Sequence, residues 1–151
     1  MNQAIQQIRQ YLVENNRSQI LEIARQNKRI LSYLTALTYD PDQFVAWRAI
    51  AAIGYAAEWY ADRDIEYLRI HLRRLIWLLS DESGGIGWHA PEAMGEIIRA
   101  RPDLLAEFIP ILISTFDMEP EDAPPFKAGA LWAIGRLAQV SPEVLTEALP
   151  Q

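Results

Sequence analysis

Three stretches of the chain share one spacing of apolar and small residues. VAWRAIAAIGYAAEW, IGWHAPEAMGEIIRA and FKAGALWAIGRLAQV align on Gly54, Gly95 and Gly135, which stand 41 and 40 residues apart. Nine positions before each glycine lies Val45, Ile86 or Phe126, and five before lies Ala49, Ala90 or Ala130. Two before stands Ala52, Ala93 or Ala133, and directly before stands Ile53, Met94 or Ile134. Offsets −9, −5, −2, −1 and +2 fall on one face of a helix with 3.6 residues per turn, so each stretch is predicted to be a helix with that face in the core. Alanine at two of these offsets, with glycine at the reference position, lets a neighbouring helix come close.

Other helices are predicted between these three. Residues 63–79 place Leu68, Leu72, Leu75, Ile76 and Leu79 on one stripe, and residues 102–116 do the same with Leu105, Phe108, Ile109, Leu112 and Phe116. Pro102 suits a first helical turn, whereas Pro110 should kink its helix by displacing the carbonyl four residues back. Helices are expected at the N-terminus over residues 3–13 and 18–38, and a short one in SPEVLTEAL with Ser141 as N-cap. Alternation of period two never persists, so no strand is expected. The chain reads as all-α.

An acid in the turn, then V-x-x-x-A-x-x-A-I-G, recurring near every 40 residues with another helix between, resembles HEAT repeats. The pattern is also similar to the HEAT-like repeats of phycobilisome-lyase proteins, whose units are usually shorter. The resemblance covers residues 40–140 and implies a short right-handed α-α superhelix, an armadillo-like α-solenoid of about three helix pairs. Residues 1–39 would then be an N-terminal cap with the first helix, 40–140 the repeat core and 141–151 a C-terminal capping helix, all in one domain. The basic residue that HEAT patterns often carry eight before the glycine is replaced here by Ala46, Gly87 and Lys127, so a regular basic ladder is not expected. Each helix pair must bury its apolar face on the next. The C-terminal end closes on its own short helix, or docks on a second copy or another protein.

Composition narrows the function. Of 151 residues, 50% are hydrophobic and 23% charged, which suits a folded chain. No apolar run approaches the roughly 20 residues that span a bilayer, and the first residues carry no signal-peptide pattern. A cytoplasmic protein without membrane attachment is expected. The absence of cysteine removes disulfides, thiolate nucleophiles and Cys-based metal sites, and two histidines exclude His-rich metal cages. No cofactor or metal is expected. The net charge is −6, distributed as +3 over residues 1–39, −3 over 40–101 and −6 over 102–151. Such a chain gains little from counterion release on a phosphate backbone, so nucleic-acid binding is not expected.

In HEAT-like stacks the second helix of each pair lines the concave surface. The outward offsets −7, −6, −3 and +1 carry Trp47, Arg48, Tyr55, Trp88, His89, Glu92, Glu96, Trp132 and Arg136. Trp, Tyr and Arg supply protein-interface hot spots, and these nine residues form the candidate contact face. Gly84, Gly85 and Gly87 precede a helix that must begin near Trp88, because Pro91 is tolerated only in an opening turn. They read as a tight turn or as a rim beside Trp88 and His89. No P-loop, Rossmann or nucleophile-elbow motif is present. His89 with Glu92 and Glu96 is too common a grouping to define a catalytic site, and no catalytic residue is assigned. His71, beside Arg69, Arg73 and Arg74, reads as part of a solvated face. The expected function is a non-catalytic interaction module or scaffold for another protein or peptide. The alternative implied by the lyase resemblance is an accessory factor handling a tetrapyrrole or another cofactor.

Overall fold

The computed structural model describes residues 2–79, 89–115 and 124–148, without the side chains of residues 124–127 and 148. Every regular element in them is helical. Helix α1 (Gln3–Val13) starts where the Asn2 side chain accepts from Ile5 N, and α2 (Arg17–Gln26) where Asn16 accepts from Gln19 N. Asn15 joins them with φ of 55°, the left-handed region that asparagine tolerates better than most residues. Next come α3 (Ile30–Leu37), α4 (Gln43–Ala61) and α5 (Ile65–Leu78), the last two capped by the Asp42 and Asp64 carboxylates. After these follow α6 (Ala90–Ala100), α7 (Pro102–Leu105), a 3-10 turn (Ala106–Phe108), α8 (Ile109–Ser114), α9 (Pro124–Val140) and α10 (Pro142–Ala148).

Two elements depart from the sequence expectation. The single helix over residues 18–38 is two helices, α2 and α3. The Asn27 carboxamide accepts from Arg29 N at 2.9 Å, a local turn bond that competes with the helical ladder. The helix over residues 102–116 does not merely bend at Pro110. The 3-10 turn begins at Ala106, the residue whose carbonyl the Pro110 ring would strike, and Pro110 opens the fresh helix α8.

The small-residue face lies where it was expected. Val45, Ala49, Ala52, Ile53 and Ala56 of α4 are buried, as are Ala90, Ala93, Met94 and Ile97 of α6 and Ala130, Ala133 and Leu137 of α9. Helix α4 packs on α6 and α6 on α9, while α3, α5 and α8 pack on α4, α6 and α9 respectively. Glycine permits a close approach of α6 and α9. A Cβ on Gly95 would stand 2.5 Å from the Cβ of Ala133 and 3.0 Å from its Cα.

Helix α6 is covered on so many sides that every residue from Ala90 to Ile98 is buried. Fully buried Leu68, Leu72 and Leu75 of α5 each contribute on the order of 1.5–3 kcal/mol through burial. Polar ties reinforce the packing. Arg9 donates to both Asp40 oxygens, at 2.7 and 3.2 Å, and fastens α1 to the turn before α4. The guanidinium holds the Asp40 carboxyl below the usual carboxylate range. Lys28 pairs with Asp64 at 2.6 Å, and the Tyr60 and Tyr67 hydroxyls donate to the carbonyls of Ala24 and Lys28.

His71 corrects the expectation of a solvated face: it is only 3% exposed. It stands three residues after Leu68 and four before Leu75, on the stripe that faces the core, with the arginines beside it turned outward. The Thr35 hydroxyl donates to Leu31 O at 2.7 Å, which makes His71 Nε2 the donor in its 2.9 Å contact with Thr35 Oγ1. Burial, with Arg74 adding to it, pushes the imidazole pKa down to about 4, so the ring is neutral near pH 7.

Candidate partner-binding face

Helices α4, α6 and α9 bring six of the nine expected contact residues into one connected cluster. Trp47 lies on the second turn of α4, His89 at the N-cap of α6 and Trp132 midway along α9. The Trp47 ring centroid is 5.7 Å from His89 and 5.3 Å from Trp132, with planes tilted by 60° in both pairs. Rings at this spacing and tilt attract through their quadrupoles as well as by burial. Trp47 remains 38% exposed, and Trp132 is half-buried.

Below the aromatic rings lie two carboxylates expected at the surface but found inside. Glu92 is 5% exposed and Glu96 3%. Both sit at outward offsets on α6, but the neighbours on either side of α6 cover those offsets too. Glycines give them room: a Cβ on Gly54 would collide with the Glu96 carboxylate, and one on Gly129 with that of Glu92. Glu96 accepts from Arg99 Nε and Arg136 Nε, each at 3.0 Å, and Arg99 also reaches Glu58 at 3.1 Å. The chain Glu58–Arg99–Glu96–Arg136 therefore crosses α4, α6 and α9. Charge-assisted bonds on both oxygens of Glu96 are what a carboxylate this deep requires.

Glu92 is less complete. Its Oε2 accepts from His89 Nδ1 at 2.7 Å, whereas Oε1 is buried without a partner among the described residues. The Arg136 guanidinium lies 5.9 Å from the Trp132 ring centroid and joins the aromatic and ionic groups.

Arg48 and Tyr55 make their polar contacts elsewhere, on α1 and α2. The Arg48 guanidinium donates to the carbonyls of Leu12 and Val13, both at 3.0 Å, and so satisfies the last turn of α1. Tyr55 packs under Arg17 of α2, 4.4 Å from its ring centroid, and burial raises its phenol pKa to about 12. Trp88, Gly84, Gly85 and Gly87 lie outside the described residues.

Sequence reasoning missed Phe44, which is 76% exposed. With Gln43, Trp47, Arg48 and Ala51 it lines a groove of about 360 Å³ beside the tryptophan cluster. Its signal was present in outline: Asp42 is an N-cap and Val45 a core position, so Phe44 in the first turn has no core to enter. Among the described residues no group of three His, Asp or Glu side chains is placed to hold a metal ion, and no helix is long and apolar enough to cross a membrane. No family model matches the chain, and neither curated proteins nor solved structures yield a match.

Proposed function

We propose that this chain is a short right-handed α-solenoid of HEAT-like repeats that acts as a non-catalytic scaffold in the cytoplasm. It binds a protein or peptide across α4, α6 and α9. The repeat reading is supported by the reach of the polar ties between helices, which span between 31 and 42 residues along the chain, close to the spacing of the three glycines. In a solenoid each unit touches mainly its neighbours.

The binding reading rests on one observation. A half-exposed tryptophan in contact with a second tryptophan and a histidine adjoins an apolar groove that ends at an exposed phenylalanine. Aromatic anchors beside a concavity, with charged groups around them, are the features that carry binding energy in protein interfaces. The same rings are in mutual contact, which leaves no slot for a flat macrocycle between them and favours a protein ligand over a tetrapyrrole. The net charge of −6 argues against nucleic acid as the partner.

The test uses affinity capture from native lysate with wild type and with a Trp47→Ala, Trp132→Ala double variant of unchanged helicity. The captured protein is then purified and titrated against both baits. Loss of binding by the variant supports the face, and equal affinity for the two baits overturns it.

A further inference from the structure

The incomplete hydrogen bonding of Glu92 points to the chemistry of the ligand on this face. We infer that the Trp47–His89–Trp132 cluster is a receptor for a cationic side chain, an arginine or lysine of the docking partner, with Glu92 as its counter-charge. This inference rests on the docking face proposed above and specifies what that face recognises.

The geometry supplies both parts of such a receptor. The three rings come from three separate segments and are tilted rather than stacked flat, and Trp47 stays 38% exposed while touching both others. Cations are attracted to indole faces within about 6 Å of the centroid, most strongly where water is excluded. Glu92 is the anionic group beside them. One of its oxygens is held by His89, itself a member of the cluster. The other faces the bare backbone of Gly129, which stands three residues before Trp132 on α9 and therefore one turn along the same face.

That second oxygen is closed off from water and has no donor among the described residues. A carboxylate oxygen in that state is stabilised by a donor or a nearby positive charge. Glu96, one turn further along α6, shows the satisfied alternative, with two arginines on its two oxygens. Among the described residues Glu92 has no equivalent arginine. Glu92 joins the aromatic cluster through His89, and Trp47 of that cluster lines the groove together with Phe44.

The experiment titrates N-acetyl-arginine-N-methylamide into the full chain and follows the indole N–H signals of Trp47 and Trp132 by NMR, assigned with single Trp→Phe variants. N-acetyl-citrulline-N-methylamide, nearly the same shape without the charge, is the control. The arginine probe is expected to move both signals in a saturable way, the citrulline probe to leave them in place, and Glu92→Gln to weaken arginine binding by about tenfold, the loss of a nearby counter-charge. Equal responses to the two probes overturn the inference without any variant being needed. So does unchanged arginine affinity in a folded Glu92→Gln protein. A captured partner lost by the tryptophan double variant but held equally by Glu92→Gln leaves the docking face standing and removes the cation receptor. Retention by the double variant removes the face itself.

Discussion

Gly95 of α6 and Ala133 of α9 meet so closely that a methyl group on the glycine would come within 2.5 Å of the alanine Cβ. The obstruction includes the Ala133 Cα, so it is not the end of a flexible side chain and cannot swing aside. Gly95→Ala is therefore expected to force the two helices apart and to cost about 1–3 kcal/mol, as overpacking in a well-filled core does. Gly135 holds the matching place on α9 and has nothing within 4 Å of where its Cβ would be. There the same substitution removes only the entropy that glycine loses in a helix, and Gly135→Ala should stabilise by about 0.5–1 kcal/mol. Thermal melts of the two variants should move in opposite directions, and a shared sign would contradict the packing described for α6.

The Glu58–Arg99–Glu96–Arg136 chain predicts an order of effects. Glu96→Ala removes an acceptor from two arginines and should cost about 2 kcal/mol, in the range for hydrogen bonds to charged groups. The Arg99 and Arg136 side chains are 19% and 36% exposed, so each can turn part of its charge to water. Arg136→Ala leaves Glu96 paired with Arg99 and should cost about half as much. Urea titration of both single variants and the double variant gives the coupling. Strictly additive losses would mean that the bridge from α6 to α9 contributes nothing.

His71 predicts an acid sensitivity. Its pKa is near 6.5 in an unfolded chain and about 4 in the fold, so between those values the unfolded state binds the extra proton. Stability from this group is complete above pH 6.5 and falls as pH drops towards 4, by about 3 kcal/mol at the limit. Asp40, whose pKa is lowered, loses its contribution only at still lower pH, as acidification passes through its own depressed value. In His71→Leu, Thr35 keeps its bond to Leu31 O, and the buried Nδ1, which has no partner among the described residues, is gone. That variant should match wild type near pH 7 and show a flatter loss between pH 6.5 and 4, read from denaturation midpoints across the range.

Arg48, one of the expected contact residues, bonds the end of α1 and also lines the groove beside Trp47. Arg48→Ala should take the side-chain donor from the carbonyls of Leu12 and Val13, cost about 1 kcal/mol and speed hydrogen exchange in the last turn of α1. Because Arg48 also lines the groove beside Trp47, affinity for the partner should fall as well. Faster exchange in α1 with unaltered affinity would place Arg48 outside the contact face.

These cases show what the sequence could convey. Ala49, Ala52, Ala90, Ala93, Ala130 and Ala133 were legible as one face because close helix packing requires small residues at fixed spacing, and spacing survives in a linear string. The burial of Glu92 and Glu96 was not, since periodicity marks the face turned to the main core and says nothing of a second helix laid across the opposite side. His71 was masked by its charged neighbours, although the leucines around it held the stripe on which it sits. The break between α2 and α3 depends on a single Asn27 bond that competes with a helix otherwise well patterned. Trp47 and Trp132 were read onto one face, but contact between them depends on how α4, α6 and α9 lie together, a property of the packed helices and not of any one of them.

That contact also separates two classes of loop closure. The polar ties between helices join residues no more than 42 positions apart among the described residues, whereas Trp47 and Trp132 join positions 85 apart. Closing the longer loop costs only about 0.6 kcal/mol more per doubling of length, but it requires the intervening helices to be in place. Folding can thus proceed by short-range steps, with the tryptophan pair meeting late. Unfolding that begins at either end must part the two rings before the first and third helices of the layer become independent. A ligand seated on those rings would slow the separation of α4, α6 and α9.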